Sequence, residues 1–156
     1  MRLIPVRYSI DTSALIDAYC IYYPPDVFPA VWTFMEDLVA RGALLAPEAV
    51  RDELELKDDK LLRWARGNSS IFADTSGALQ HEAEGILKSY PSLQKLHSTR
   101  PDADPFVIAL AVVESCSVVA SERRNPQNPR IPDVCDALGI RYLRFVEMFR
   151  EEGKTF

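Results

Sequence analysis

Four acidic side chains, Asp11, Glu53, Asp104 and Glu122, stand at or beside the ends of apolar or helix-like segments. In a parallel-sheet protein such positions lie where a strand turns into a helix, or in a helix that begins shortly afterwards. Folding can therefore gather distant carboxylates at one sheet edge. Carboxylates brought together repel, raise one another's pKa and call for a counter-cation. Oxygen donors suit a hard divalent ion, Mg²⁺ or Mn²⁺. Such an ion makes bound water a better nucleophile.

Each acid also has a plainer reading. Asp11, directly after a buried strand and followed by Thr12 and Ser13, can be a helix N-cap or a ligand. Asp104 before Pro105 carries the same ambiguity. Glu53 can be one more solvated acid among Glu48, Asp52 and Glu55, and Glu122 can pair on the surface with Arg123 or Arg124. Ser13, ahead of Thr12, is the hydroxyl suited to orienting water beside a metal. The signal lies in the joint placement of the four acids.

The elements that position them follow from apolar periodicity. Val6 to Ile10 predicts a strand that ends at Asp11. A helix from about Ser13 to Cys20 stops before Pro24-Pro25. A second, from about Val27 to Arg41, turns Val31, Phe34, Met35, Leu38 and Val39 inward and closes at Gly42. Ala43 to Ala46 is another buried strand. Pro47 opens the next helix, whose inward stripe is Val50 and Leu54, with Glu53 beside it. Further helices span Lys57 to Arg66 and Ser76 to Ser89, and the stretch between Pro91 and Pro101 reads as helix or loop. Phe106 to Val113 is apolar nearly all round and predicts a central buried helix with Pro105 at its first position. Ser117 to Ala120 is the third strand and Arg124 to Arg130 a loop. Pro132 to Leu138 is a helix ended by Gly139, Ile140 to Leu143 the fourth strand, and Phe145 to Glu152 the last helix. This α/β alternation over a single domain, residues 1–156, predicts a mostly parallel central sheet of about four to five strands flanked by helices.

The formal net charge of −5 argues against broad polyanion binding. Its distribution is uneven, with Arg123, Arg124, Arg130, Arg141 and Arg144 opposed in their stretch only by Asp133 and Asp136. That strip is either a solvated surface or a local phosphate-binding one. A basic leader and an uncharged apolar run of about 18 residues are both missing, so the expectation is a cytoplasmic protein without membrane association. Cys20, Cys116 and Cys135 have no C-x-x-C spacing and are expected to be small buried hydrophobes. His81 and His97 form no H-E-x-x-H pair and read as surface or packing residues. A glycine-rich phosphate loop, a G-x-S-x-G elbow and the second Asp of an aspartyl-phosphate phosphatase are likewise missing. Trp32, Trp64, Tyr22 and Tyr23 can stack on bases, although packing in the core or a dimer interface suits the tryptophans better.

The segments Ile10-Asp11-Thr12-Ser13-Ala14-Leu15-Ile16, Pro47 to Leu54, Ala103-Asp104-Pro105-Phe106-Val107-Ile108-Ala109-Leu110-Ala111 and Val118 to Glu122 resemble, in this order, a PIN domain. This is the fold of many VapC-type toxins and other metal-dependent nucleases. Ile131-Pro132-Asp133-Val134-Cys135 resembles a subgroup labelled DUF4411.

The resemblance implies a three-layer PIN-like fold and an acidic centre of Asp11, Glu53, Asp104 and Glu122 with Ser13 as accessory group, binding Mg²⁺ or Mn²⁺. It implies an endoribonuclease that leaves a 3′-hydroxyl and a 5′-phosphate, with an RNA substrate and a protein antitoxin as partners, while the helices near the N-terminus are the candidates for a homodimer interface. Arg123, Arg124 and Arg130 are the candidates for contact with RNA. One departure is that Glu122 stands where the family commonly has Asp, with Ala120 in place of a Thr, so a hydroxyl is missing unless Ser121 replaces it. Asp133 and Asp102 are alternatives for completing the site. A catalytically weak PIN-fold module that binds RNA or a protein is the competing expectation.

Overall fold

The apolar run that ends at Ile10 forms β1 (Tyr8–Ile10) in the computed structural model, which describes residues 4–94 and 102–156. Leu44–Pro47 forms β2, Phe72–Ala73 β3, Ser117–Val119 β4 and Tyr142–Leu143 β5. They make one five-stranded parallel sheet in the order β3-β2-β1-β4-β5. Tyr8 lies between Leu44 and Ser117, and Ile10 opposite Val119. Every residue of β1, β2 and β4 is buried, as expected of strands covered on both faces.

Because β1 is central, the chain passes to one side for β2 and β3 and to the other for β4 and β5. The strand order therefore reverses between β1 and β4, where open α/β sheets place their ligands, beyond the carboxyl ends of the strands.

The helices are α1 (Thr12–Asp17), α2 (Pro29–Ala40), α3 (Glu48–Lys57), α4 (Asp59–Gly67), α5 (Gly77–Ser89), α6 (Asp104–Glu114), α7 (Ile131–Leu138) and α8 (Phe145–Glu151). A π-helical turn, Ala18–Tyr22, continues α1, so the expected helix over residues 13–20 has a wider last part. Helix α2 starts at Pro29 rather than Val27, since proline's fixed φ favours the first turn. Gly42 and Gly139, at φ 76 and φ 71, end α2 and α7 in the left-handed region that glycine enters without penalty.

Three expectations need correction. Pro47 ends β2 and precedes α3 in an extended conformation (φ −69, ψ 156) instead of opening the helix. Strand β3 was not expected: two half-buried residues show no alternation. Cys20 is exposed on the π-helical turn, with Sγ 3.3 Å from Asp58 Oδ2, whereas Cys135 is buried as expected and Cys116 half-buried. His81 is exposed. His97, Pro101 and most of the stretch between the two prolines lie outside the described residues.

Helix α6 is the central layer element, buried at Val107 to Ala111. The Ser9 hydroxyl donates to the Val107 carbonyl at 2.8 Å in the buried interior and so fixes α6 against β1. This single bond sets the first turn of α6 beside the carboxyl end of β1. Ile108 is fully buried in the same helix. Ile108→Ala is expected to lower unfolding free energy by about 2–5 kcal/mol. Urea denaturation with an unchanged m-value checks it.

Candidate metal centre

Asp11 continues the β1 ladder by donating its backbone N–H to the Val119 carbonyl at 2.9 Å, then caps α1. Its two oxygens do different things. Oδ2 accepts from the Ser13 backbone N–H at 3.1 Å and from the Ser13 hydroxyl at 2.7 Å. Oδ1 is buried and has no hydrogen-bond partner. A buried carboxylate oxygen without a donor is costly, and an incoming cation removes that cost.

Asp104 occupies the first position of α6, with Ala103 as the N-cap, so its side chain is not the cap. It is buried. Glu122 follows β4 after two residues, and its backbone N–H and carbonyl are both bonded to the Tyr142 hydroxyl at 2.8 Å. The Ile131 backbone N–H at the start of α7 donates to Glu122 Oε2 at 3.3 Å. Glu122 thus faces α7 and Arg130 rather than pairing with Arg123 or Arg124.

One carboxylate oxygen each from Asp11, Asp104 and Glu122 lies within 4.8 Å of the others. Oxygens on opposite sides of an octahedral Mg²⁺ are about 4.2 Å apart, twice a bond of about 2.1 Å. Three ligands on one such ion include pairs about 3.0 Å apart as well, so the side chains would draw together around it. The donor set is all oxygen, and the Asp11 carboxylate that contributes to it has one buried oxygen, Oδ1, without a hydrogen-bond partner, so these residues fit a hard divalent ion.

The electrostatics match. Burial, then the charges of Asp11 and Glu122, push the Asp104 carboxyl up to about 9 against the pull of Arg130. Burial and Asp11 also raise Glu122, opposed by Arg130 and the Ile131 N–H. Among the described residues, the Arg130 guanidinium pairs with two of the three carboxylates, Asp104 and Glu122. The cluster is short of positive charge.

Glu53 lies outside the cluster of three. Its Oε1 accepts from the Ala103 backbone N–H at 3.1 Å, and Lys57 Nζ stands 3.9 Å from Oε2. It therefore holds the residue that precedes Asp104, and its charge adds to the rise in the Asp104 pKa. Ser13, besides its bond to Asp11, accepts the Ser121 N–H at 3.0 Å. The Ser121 hydroxyl turns away to Asp17 at 2.6 Å, so that residue supplies a backbone donor to the network. The Thr12 hydroxyl is buried without a partner.

Asp133 instead accepts from the backbone N–H groups of Arg130 and Asn125 at 2.9 and 2.8 Å, fixing the start of α7. Asp102 is buried but outside the cluster among the described residues. Arg124 is held by Asp136 at 2.7 Å and lies over the Tyr142 ring, whereas Arg123 is exposed. Arg141 pairs with Glu151 at 2.7 Å. The arginine strip is thus partly tied up in local ion pairs. Trp32 and Trp64 pack edge to face at 5.0 Å, leaving Tyr22, 61% exposed, as the freest of the four aromatic candidates. Tyr142 was missed by sequence reasoning, because its link to Glu122 depends on β5 lying beside β4.

A family model described as a domain of unknown function, DUF4411, matches residues 8–156. The chain belongs to this family. The DUF4411 chain is similar in fold to a chain in the crystal structure of VapBC2 from Rickettsia felis bound to a DNA fragment from their promoter. That match has a TM-score of 0.51 and 12% identity, over 90% of this chain and 99% of the other. The shared architecture of this DUF4411 chain is PIN-like, a parallel sheet flanked by helices. No curated protein matches it in sequence.

Proposed function

We propose that this chain is a Mg²⁺- or Mn²⁺-dependent endoribonuclease and the toxin of a toxin-antitoxin pair. The observation that carries the reading is the convergence of Asp11, Asp104 and Glu122, with one buried oxygen of Asp11 unpartnered. The fold similarity to VapBC2 supports a protein antitoxin as partner. No helix among the described residues is long and apolar enough to cross a membrane, in keeping with action on RNA in the cytoplasm.

When bound, the ion activates water for attack on phosphorus and offsets charge on the phosphoryl oxygens. The protein's part is positioning. Asp11, Asp104 and Glu122 would hold the ion, and Ser13 fixes the Asp11 carboxylate through Oδ2, which leaves Oδ1 without a partner. Glu53 anchors the backbone at Ala103, Tyr142 clamps the backbone of Glu122, and exposed Arg123 is offered to the RNA backbone. The rival reading, a catalytically weak binding module, finds its best support in Arg130, which partly neutralises the cluster.

Purified protein incubated with defined single-stranded and hairpin RNAs tests the two readings. Cleavage is expected with Mg²⁺ or Mn²⁺, none with chelator, and none by Asp11→Asn at any ion concentration. Equal metal-dependent cleavage by Asp11→Asn and wild type contradicts the nuclease reading. Binding of RNA without cleavage under every ion condition favours the module.

A further inference from the structure

Arg130 is a poor choice for the work its backbone does. It is the N-cap of α7, a position that favours Ser, Thr, Asp or Asn, and the backbone there is fixed without its side chain. The Arg130 N–H donates to Asp133 at 2.9 Å, and its carbonyl accepts from Val134 at 3.1 Å. The guanidinium is free to serve elsewhere. It reaches into the acidic cluster, where Nη2 lies 3.3 Å from Asp104 Oδ2 and 3.4 Å from Glu122 Oε1.

Both contacts are long for charge-assisted bonds, which run at about 2.7–2.9 Å. The Arg124–Asp136 pair of the same loop region, at 2.7 Å, shows the tighter geometry. The Arg130 side chain is 23% exposed, so it has a path outward to solvent. Glu122 keeps the Ile131 N–H, and Asp11 keeps Ser13, when the guanidinium leaves. Two of the three carboxylates thus keep a donor after its departure.

We infer that Arg130 is an internal competitor for the divalent ion, a tethered cation that bridges Asp104 and Glu122 until the ion displaces it. This rests on the metal-dependent reading above and adds a threshold to it. The ion must remove the guanidinium before it can take both carboxylates, so metal affinity is set below what the bare cluster allows. A displaced guanidinium is held at the rim by the short reach of its own side chain. There it meets the phosphodiester backbone of RNA, and anything that holds it outward favours the ion by the same factor.

Calorimetric titration with Mn²⁺, paired with thermal melts in chelator, tests this on wild type, Arg130→Gln and Arg130→Lys. Arg130→Gln is expected to melt lower in chelator, to bind Mn²⁺ about tenfold or more tightly than wild type, and to gain more melting temperature from it. Arg130→Lys keeps the charge without the planar fork and is expected to fall between the two. Folded Arg130→Gln that binds Mn²⁺ no more tightly than wild type overturns the inference, even when its melting temperature has dropped. Should Arg130→Gln not fold, Arg130→Lys decides on the same criterion. Absence of Mn²⁺ binding by every variant contradicts the metal-dependent reading itself. Binding by wild type that Arg130→Gln leaves unchanged sinks the Arg130 role alone.

Discussion

Replacing Asp104 with asparagine is expected to reduce metal-dependent RNA cleavage by about 1000-fold or more while raising the melting temperature of the metal-free protein. The loss follows from removing one of three charged ligands, since an ion supplies several kcal/mol of transition-state stabilisation and each 1.4 kcal/mol is about tenfold in rate. The gain has a separate origin. Burial and neighbouring acids push the Asp104 carboxyl up to about 9, so near neutrality the folded chain must protonate a group that the unfolded chain leaves ionised. Asparagine, neutral at every pH, escapes that cost. Cleavage rates with Mn²⁺ and melting curves in chelator read the two effects separately. A variant that is both active and less stable in chelator contradicts the assignment of Asp104 as a buried ligand.

A pH series in chelator gives the second large effect. The folded pKa of Asp104 is raised above its unfolded value, so the folded state binds the extra proton between about pH 4 and the folded value of about 9. The carboxyl's contribution is whole below the unfolded pKa and is lost as pH rises through that window. Across it, stability from this group falls steadily as the folded state is made to keep its proton. Glu122 is raised as well and adds to the slope in its own part of the range. Comparing the Asp104→Asn profile with that of wild type reads how the titration of the acidic cluster changes when this carboxyl is removed. Saturating Mn²⁺ is expected to abolish or reverse the slope, because the ion requires deprotonated ligands and binds better as pH rises. A wild-type profile in chelator that parallels that of Asp104→Asn from pH 5 to pH 8 rules out the buried, repelled carboxyl.

The parts of the fold legible in the sequence are those where burial imposes a pattern. Strands β1, β2 and β4 are short apolar runs with every residue buried, and α6 is covered by the sheet and α5 from Val107 to Ala111, whereas Val112 and Val113, part of the same apolar run, are exposed. Strand β3 is two residues long and half-exposed, so its pairing with Ala46 and Pro47 left no trace in periodicity. Asp11 could not be resolved into cap or ligand, because one of its oxygens caps α1 while the other is buried without a partner, a difference that no sequence pattern records. Glu53 was legible as a residue near the core boundary, but its bond to the Ala103 N–H crosses 50 positions of sequence. The same holds for Arg130, which meets Asp104 across 26 positions, and for Tyr142, which meets Glu122 across 20. Local patterns carry no information about such partners until the sheet order is known.

Diffraction from crystals grown with Mn²⁺, collected near the manganese absorption edge, tests the central claim most directly. The expected result is an anomalous peak about 2.0–2.3 Å from one oxygen each of Asp11, Asp104 and Glu122, with the Arg130 guanidinium drawn away from Asp104. A cluster without a peak at a Mn²⁺ concentration that supports cleavage, or a peak bound by other residues, contradicts it.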